Sequence, residues 1–291
     1  MTLEKLSPCK VNLVLNILGK RADGFHELET LMHPVRLFDR LTFERTGAAV
    51  QLTCSAAGLP VDSRNLVCRA AEAFLDKAGI RDGVRLHLEK HIPLAAGLGG
   101  GSGNAATTLL GMNELFGAPL PEADLYEIAA SLGSDIPFFL QERPALATGR
   151  GEKVESLNQF PALAGCCWIL IHPGFGIATA WAYQELARFP EAFQGRPGRA
   201  AAVAEQLRRG DLTGACAGLY NSLEAPALDK YPILTLYQEF FRENGALGTL
   251  MSGSGSTTFA LMRNREMASE VLEKFKGRFG EAIWGVAVEI T

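Results

Sequence analysis

The 291-residue sequence lacks several signatures that would settle function quickly. It contains no Gly-Lys-Ser/Thr, which excludes a Walker-type phosphate loop. Its six cysteines, Cys9, Cys54, Cys68, Cys166, Cys167 and Cys216, form no C-x-x-C pair. Reduced, mostly buried thiols are therefore expected rather than disulfides or zinc ligands. No apolar run approaches the roughly 18 residues of a membrane span. The N-terminal apolar stretch is short and is interrupted by Lys10, Asn12 and Asn16, so no signal peptide is expected and a cytoplasmic location is. An excess of positive charge is also missing: 28 Lys and Arg face 32 Asp and Glu, a net charge of −4. Neither nucleic acid nor an anionic membrane is expected as a partner, and an anionic substrate needs a local site. With 47 % hydrophobic and 21 % charged residues the composition is that of a globular protein, and the length suggests two domains.

Against these absences stands one stretch rich in glycine, Pro93 to Ala106, reading PLAAGLGGGSGNAA. An apolar alternating run, Val84 to Leu88, precedes it, and a helix-forming run, Asn104 to Phe116, follows it. Glycine carries an entropic cost, so a loop keeps many only where backbone bends sharply or approaches something closely. A glycine loop opening onto a helix offers unpaired N–H groups and a positive helix end to phosphate. A dinucleotide fingerprint fits only loosely through Gly101-Ser-Gly103-Asn-Ala-Ala106, without its βαβ context or an acidic ribose ligand at the usual distance.

The rest of the chain supplies the framework. Ser7 to Leu18 alternates, predicting a strand with Cys9, Val11, Leu13, Leu15 and Ile17 on a core face and Lys10, Asn12 and Asn16 on the other. A solvated strand lysine is the simplest account of Lys10. Asp23-Gly24 predicts a hairpin turn with Phe25 and His26 at its mouth and a returning strand from about Glu27. Short strands are expected at Leu41–Glu44 and Val50–Thr53, and a helix at Asn65–Ala78 ended by Gly79. Val84 to His91 places Arg85, His87, Glu89 and His91 on one strand face, which a solvated face explains better than a metal site. A helix over Glu122–Leu132 is broken by Gly133-Ser-Asp-Ile-Pro137, where Pro137 disfavours helical geometry at Ile136 and leaves Asp135 in a tight turn. Asp135 could merely cap that turn. Phe138, Phe139 and Leu140 should re-enter the core. A polar boundary is expected between Gly149 and Pro161, giving domains 1–155 and 156–291. Beyond it lie strands at Cys166–Ile171, Leu247–Met251, Thr257–Met262 and Ala282–Ile290. Helices are expected at Thr179–Ala187, Arg199–Arg208, Asp229–Glu243 and Arg265–Phe275. This mixture of antiparallel strands and helices argues an α+β class.

Five segments, in order along the chain, carry a resemblance. Pro93-x-x-x-Gly97-Leu-Gly99-Gly-Gly-Ser102 resembles the phosphate loop of the GHMP kinases, and Ser7-Pro-Cys-Lys-Val-Asn12 their opening motif. Arg21-Ala-Asp-Gly-Phe-His26 and Gly133-Ser-Asp-Ile-Pro137 resemble motifs of one branch, and Ser252-Gly-Ser-Gly-Ser256 resembles the third family motif. The resemblance implies an N-terminal αβ domain carrying the ATP loop and a C-terminal ferredoxin-like domain. It implies ATP with Mg²⁺ as phosphoryl donor, and a CDP-linked methylerythritol phosphorylated on its 2-hydroxyl in the non-mevalonate isoprenoid pathway. By residue match it makes Lys10 and Asp135 the catalytic pair. ATP would be held by Pro93, Leu94, Ala95, Ala96, Gly97, Leu98, Gly99, Gly100, Gly101, Ser102 and Gly103, with Asn65 near the adenine and Ser102 a candidate Mg²⁺ ligand. Asn12, Phe25, His26, Thr179 and Tyr183 would bind the CDP alcohol, His26 by hydrogen bonds to cytosine and Phe25 and Tyr183 as stacking platforms. Gly253, Ser254 and Gly255 form the third motif. The chain departs from the branch at Ala95 and Ala96, where glycines are frequent, and at Gly103, Phe25 and Ser134, without losing a charged group. Another GHMP small-molecule kinase, of homoserine or mevalonate type, would share the loop but has no use for Arg21-Ala-Asp-Gly-Phe-His26. A non-catalytic nucleotide-binding regulator need keep neither Lys10 nor Asp135.

Overall fold

The structure is a computed structural model and describes residues 2–47 and 49–290. In chain order the elements are β1 (Thr2–Lys20), β2 (His26–Thr46), β3 (Gln51–Cys54), α1 (Leu66–Ala78), β4 (Gly83–Glu89), α2 (Gly100–Leu115) and α3 (Glu122–Leu132). Then follow β5 (Ala145–Gly149), β6 (Lys153–Ser156), β7 (Cys167–His172), α4 (Thr179–Glu185), α5 (Pro190–Phe193), α6 (Arg199–Arg208) and α7 (Leu212–Ala217). The chain closes with β8 (Tyr220–Asn221), α8 (Glu224–Lys230), α9 (Ile233–Glu243), β9 (Gly248–Met251), β10 (Thr258–Met262), α10 (Arg265–Phe279) and β11 (Trp284–Glu289). Among the described residues no helix is long and apolar enough to cross a membrane.

These elements form two compact units that interleave along the sequence, where the sequence suggests a single boundary after residue 155. The first holds residues up to Cys9, Leu37–Pro93 and Gly99–Glu142; the second holds Lys10–Arg36, Leu94–Leu98 and everything from Arg143 onward. The interleaving follows from strand length. β1 and β2 are long, and each contributes one part to each unit.

In the first unit β4 pairs antiparallel with the later part of β2, Thr46 opposite Gly83, and parallel with β3, Gln51 opposite Arg85. β4 alternates as its sequence predicts: Val84, Leu86 and Leu88 are buried while Arg85 and His87 face out. Among the described residues no His, Cys, Asp and Glu cluster could hold a metal ion. α1 packs on α2 and α3. Its ends are set locally: the Asn65 side chain accepts from Val67 N–H at the start, and Gly79 (φ 65°) supplies the left-handed cap. Gly111 of α2 is there for packing, since a Cβ would lie 2.4 Å from Phe43 Cζ.

In the second unit β5 pairs antiparallel with the earlier part of β2, β6 pairs with β5, and β8 runs parallel to β1. A separate antiparallel sheet has the order β11-β7-β10-β9. With α9 leading into β9 and α10 into β11, this is the ferredoxin-like arrangement the resemblance implies. Its core is aromatic: Phe241 stacks on Phe275 at 5.3 Å, and Tyr237 meets the Phe275 edge at 4.8 Å. Full burial of each such side chain contributes about 1.5–3 kcal/mol.

Several expectations change. β1 is buried on both faces from Cys9 to Ile17, so Lys10 (2 % exposed) is not a solvated strand lysine. Asn16 is kept on the buried second face by donating to Glu29 Oε1 and Arg196 O, each at 2.8 Å. The expected strand Leu41–Glu44 is part of the 21-residue β2. α2 starts inside the glycine stretch at Gly100, not at Asn104, because the Gly103 N–H already donates to Gly99 O at 2.8 Å. The polar boundary segment holds the turn and the second strand of a hairpin, β5–β6, with the Arg150 N–H donating to Glu152 Oε2 at 2.7 Å in the turn. The helix expected over Asp229–Glu243 is two helices, because Pro232 cannot donate in a helix interior and breaks the run. Ile136 adopts helical geometry (φ −66°, ψ −42°) despite the following proline. There its N–H reaches Gly133 O at 3.2 Å, Pro137 opens a 3-10 turn, and Phe138 and Phe139 are buried.

His33 is a further buried group in the second unit, 3 % exposed with its ring against the Trp168 edge at 5.8 Å. Its Nδ1 contacts Pro34 O at 2.7 Å, so it donates there and Nε2 is the bare nitrogen. Burial lowers its pKa to about 4. The unfolded chain thus binds the proton first, and stability present above about pH 6.5 is lost as pH falls toward 4, by about 3 kcal/mol. Chemical denaturation at pH 7.5, 5.5 and 4 should show this loss in the parent and a smaller one in His33→Phe; equal pH slopes would refute it.

Candidate active site

In the second unit β1 brings an ammonium inside the protein. Lys10 Nζ donates to the Asn12 side-chain oxygen and, at 3.1 Å, to the carbonyl of Gly97. Asn12 is held in turn, its Nδ2 donating to Thr30 Oγ1 at 2.8 Å while the Thr30 hydroxyl donates to Val14 O at 2.6 Å. The Gly97 carbonyl accepts a second bond, from Ser252 Oγ at 3.0 Å, and Ser252 Oγ accepts the Asn12 N–H at 3.3 Å. A buried ammonium needs such oxygen partners, because its desolvation is otherwise very costly.

The loop between β9 and β10 completes this arrangement. It tolerates no side chain at either contact point: a Cβ on Gly97 would lie 2.0 Å from Ser252 O, and one on Gly253 would lie 2.7 Å from Gly97 O and 3.2 Å from Lys10 Nζ. Both residues also have positive φ, 75° and 57°. Thr257 N–H donates to Ala96 O at 3.1 Å, and Ser254 Oγ meets Thr179 Oγ1 at 3.0 Å. Lys10, Asn12, Gly97, Gly253, Ser254 and Thr179, far apart in sequence, thus share one hydrogen-bonded region of this unit. Gly255 (φ 87°) turns the same loop.

The hairpin after β1 belongs to the same unit. Asp23 Oδ1 accepts the Phe25 N–H at 3.1 Å, Arg21 Nε reaches Asp23 Oδ2 at 3.1 Å, and Arg21 also pairs with Glu27. Phe25 is 52 % exposed, with the Arg150 guanidinium 4.7 Å over its ring. The His26 ring lies 4.9 Å from Tyr183 and 5.7 Å from the edge of Phe193. Burial, with a contribution from Lys20, holds the His26 imidazole below its ordinary pKa, so it is neutral at pH 7.

The first unit carries the helical part of the glycine stretch. Gly99 (φ 69°) precedes α2, leaving the N–H groups of Gly100, Gly101 and Ser102 in its first turn without intrahelical acceptors. The glycines differ in purpose. A Cβ on Gly103 would lie 2.5 Å from Pro8 O, and one on Gly100 3.0 Å from Ile92 Cγ2, so both serve packing. Gly101 is exposed, has no positive φ, and its Cβ would meet only Leu66 Cδ1 at 3.9 Å. Of the remaining predicted ATP residues, Pro93 is half-buried, Leu94 and Ala95 are exposed, and Ala96 and Leu98 point into the core. Asn65 is committed to capping α1, and its Nδ2 donates to Pro60 O at 2.8 Å. Asp135 is half-buried in the turn after α3. Ser102 is half-buried one residue beyond Gly101.

Thr30, Phe193, Arg150 and Asn221 were not singled out by the sequence as site residues, and Ser252 only as the first residue of the third-motif segment. Asn221-Ser-Leu-Glu224, an asparagine with a glutamate three residues on, is a helix-start pattern that marks its segment. No comparable signal marks Thr30 or Phe193.

Comparison with known proteins shows what the chain is similar to. The model of the GHMP kinases N terminal domain matches residues 65–143, and that of the GHMP kinases C terminal domain matches residues 203–281. A 4-diphosphocytidyl-2-C-methyl-D-erythritol kinase of Syntrophotalea carbinolica is 37 % identical over 280 residues, covering 94 % of this chain and 95 % of its own. One of Pelotomaculum thermopropionicum is 40 % identical over 277 residues, covering 95 % and 94 %. A crystal structure of 4-(cytidine 5'-diphospho)-2C-methyl-D-erythritol kinase superposes with a TM-score of 0.78 at 35 % identity over 99 % of this chain and 100 % of its own. A homoserine kinase from Cytophaga hutchinsonii superposes with a TM-score of 0.75 at 20 % identity, covering 100 % and 94 %, and shares the fold.

Two glycine substitutions separate packing from ligand approach. Gly97→Ala should destabilise the protein by about 3 kcal/mol, since the residue is left-handed and meets a carbonyl. Gly101→Ala should leave stability equal or raise it by up to about 1 kcal/mol, because alanine is the better helix former, and, on the expectation from the sequence that this stretch holds ATP, weaken ATP binding. Thermal unfolding and ATP titration of both variants provide the check; a stable Gly97→Ala, or unchanged ATP affinity in Gly101→Ala, would contradict the assignment.

Proposed function

The chain belongs to the GHMP kinase family, and we propose that it transfers the γ-phosphoryl group of ATP to the 2-hydroxyl of 4-diphosphocytidyl-2-C-methyl-D-erythritol, in the non-mevalonate route to isoprenoid precursors. The observation that carries the acceptor is likeness to relatives of that name at 37 % and 40 % identity over nearly the whole of both chains. The fold alone does not select it, since a homoserine kinase shares it.

Phosphoryl transfer asks mainly for positioning and charge neutralisation. We assign the triphosphate to the stretch from Pro93 to Gly103. The open N–H groups at the start of α2 and the bare backbone at Gly101 support that assignment. Mg²⁺ fits only as an ion carried by the phosphates. Among the described residues no carboxylate and imidazole cluster would bind it alone, and Ser102 offers one hydroxyl in the first turn of the helix. Asp135 is assigned as acceptor of the substrate hydroxyl proton, and Lys10 as the cation that neutralises charge in the reaction. The bonds of Asn12 support a role in aiming Lys10. The half-exposed Phe25 and the Tyr183–His26 pair support a pyrimidine site. A neutral imidazole at His26 offers one donor and one acceptor, which suits the edge of cytosine. Thr179 with Gly253, Ser254 and Gly255 lines the same acceptor region in this assignment, and Asn65 shapes the adenine side through the α1 cap.

Asp135→Asn should lower kcat by about 10²–10⁴-fold while ATP still binds, measured by ADP release and by nucleotide titration. Near-normal turnover would remove Asp135 from its role. Tyr183→Ala should raise KM for the CDP alcohol about tenfold and leave KM for ATP within about twofold. Equal shifts in both constants would count against the stacking site.

A further inference from the structure

The third-motif loop is not held by its own strands alone. Asn221, at the end of β8 and 3 % exposed, donates through Nδ2 to Met251 O at 2.8 Å and to Gly253 O at 2.7 Å. Its Oδ1 accepts the Leu223 N–H at 2.9 Å, so its donors and acceptor are spent inside the protein. One turn on, Glu224 Oε1 accepts the Met251 N–H at 2.7 Å and is itself bonded by Gln238, which Arg242 holds at 2.8 Å. The two residues grip both ends of the Met251–Gly253 segment.

That segment is the one that meets the ammonium. Ser252 Oγ donates to Gly97 O at 3.0 Å, the same oxygen that Lys10 Nζ reaches at 3.1 Å, and Gly253 passes so close that a Cβ would lie 3.2 Å from Lys10 Nζ. β8 also pairs with β1 at Val14 and Leu15, and the Ile17 N–H donates to Ser222 Oγ at 3.0 Å. The strand carrying Lys10 and the loop facing it are therefore both referenced to residues 220–224.

We propose that Asn221, backed by Glu224, is a positioning residue for phosphoryl transfer: by fixing Met251 O and Gly253 O it sets where the Gly97 carbonyl, and hence the Lys10 ammonium, stands. The inference rests on the assignment of Lys10 to the reaction. The amide is chemically specific here. An isosteric carboxylate would place oxygen against two carbonyl oxygens at 2.7–2.8 Å and push the loop away without changing side-chain volume. Asn221 itself touches no substrate in this account, so its effect should appear in the chemical step and vanish when Lys10 no longer occupies its place.

The test is a double-mutant cycle on purified protein, with ADP release as the readout. Asn221→Asp should lower kcat at least tenfold, with KM for ATP and for the CDP alcohol within about threefold. In a Lys10→Arg background the same substitution should cost less than threefold. Ser252→Ala, which removes the next link, should show the same split and the same loss of effect, and it decides the matter if Asn221→Asp does not fold. Wild-type kcat in a folded Asn221→Asp, a change confined to KM, or full additivity with Lys10→Arg would overturn the proposal. Wild-type turnover in Lys10→Arg alone would instead remove the assignment of Lys10 on which it rests.

Discussion

The carbonyl oxygen of Gly97 is the point on which the hydrogen-bonded cluster around Lys10 depends. It accepts from Lys10 Nζ and from Ser252 Oγ. An ammonium that is 2 % exposed persists only if oxygens replace its water, and here a backbone carbonyl and the Asn12 side chain do so. A carbonyl can serve two donors only if both approach closely, which is why position 97 has no Cβ and the opposing strand–loop junction has Gly253. The cluster is a backbone device as much as a side-chain one. Its geometry is fixed by hydrogen bonds that a change of side chain at Lys10 would not by itself dismantle.

The same economy governs the first unit, with a different outcome. Gly103 and Gly100 let α2 lie against Pro8 and Ile92, and Gly99 turns the chain into the helix. Once these are accounted for, Gly101 is left without a reason in the fold. A residue that packing, dihedral angle and solvent all permit to be larger, and that stays bare at the open end of a 16-residue helix, is what close approach of a ligand to backbone requires. On the proposed assignment of ATP to it, the glycine stretch serves two purposes. Most of its glycines build the platform, and one leaves it uncovered.

How far the sequence reaches follows the same division. Local signals worked where local physics decides: the cap at Asn65, the stop at Gly79, the turn at Asp23-Gly24 and the alternation of β4 are each set by neighbouring residues. The ends of α3 and α6 fall where the periodicity ends. The failures are places where tertiary contacts override local preference. Ile136 is helical before a proline because Phe138 and Phe139 need burial. Lys10 looks solvated because alternation cannot say what covers a second strand face. Partners such as Thr30 and Asn221 carried no legible role, because a polar residue reads the same whether it meets water or a carbonyl 16 or 30 positions away. Motif resemblance supplied what periodicity could not, by naming Lys10 and the third loop without showing that they meet.

Choice of acceptor is the remaining question, and the proposed reading assigns it to a short hairpin. Within Arg21-Ala-Asp-Gly-Phe-His26 the residues divide their labour. Arg21 and Asp23 are spent on the turn, the arginine on Asp23 and Glu27 and the aspartate on the Phe25 N–H, while the Arg21 N–H closes the turn on Phe25 O at 2.8 Å. These pairs are largely exposed and each adds little stability. Their effect is geometric: they hold a tight turn so that Phe25 projects and His26 enters β2 beside Tyr183. A kinase whose acceptor carries no nucleobase needs neither the projecting ring nor the neutral imidazole, and so has no use for the arginine and aspartate that present them. On the proposed assignment of Phe25 and His26 to the pyrimidine, the motif is one unit, two residues that shape and two that bind, and under that proposal it separates kinases of the same fold better than the glycine loop they share.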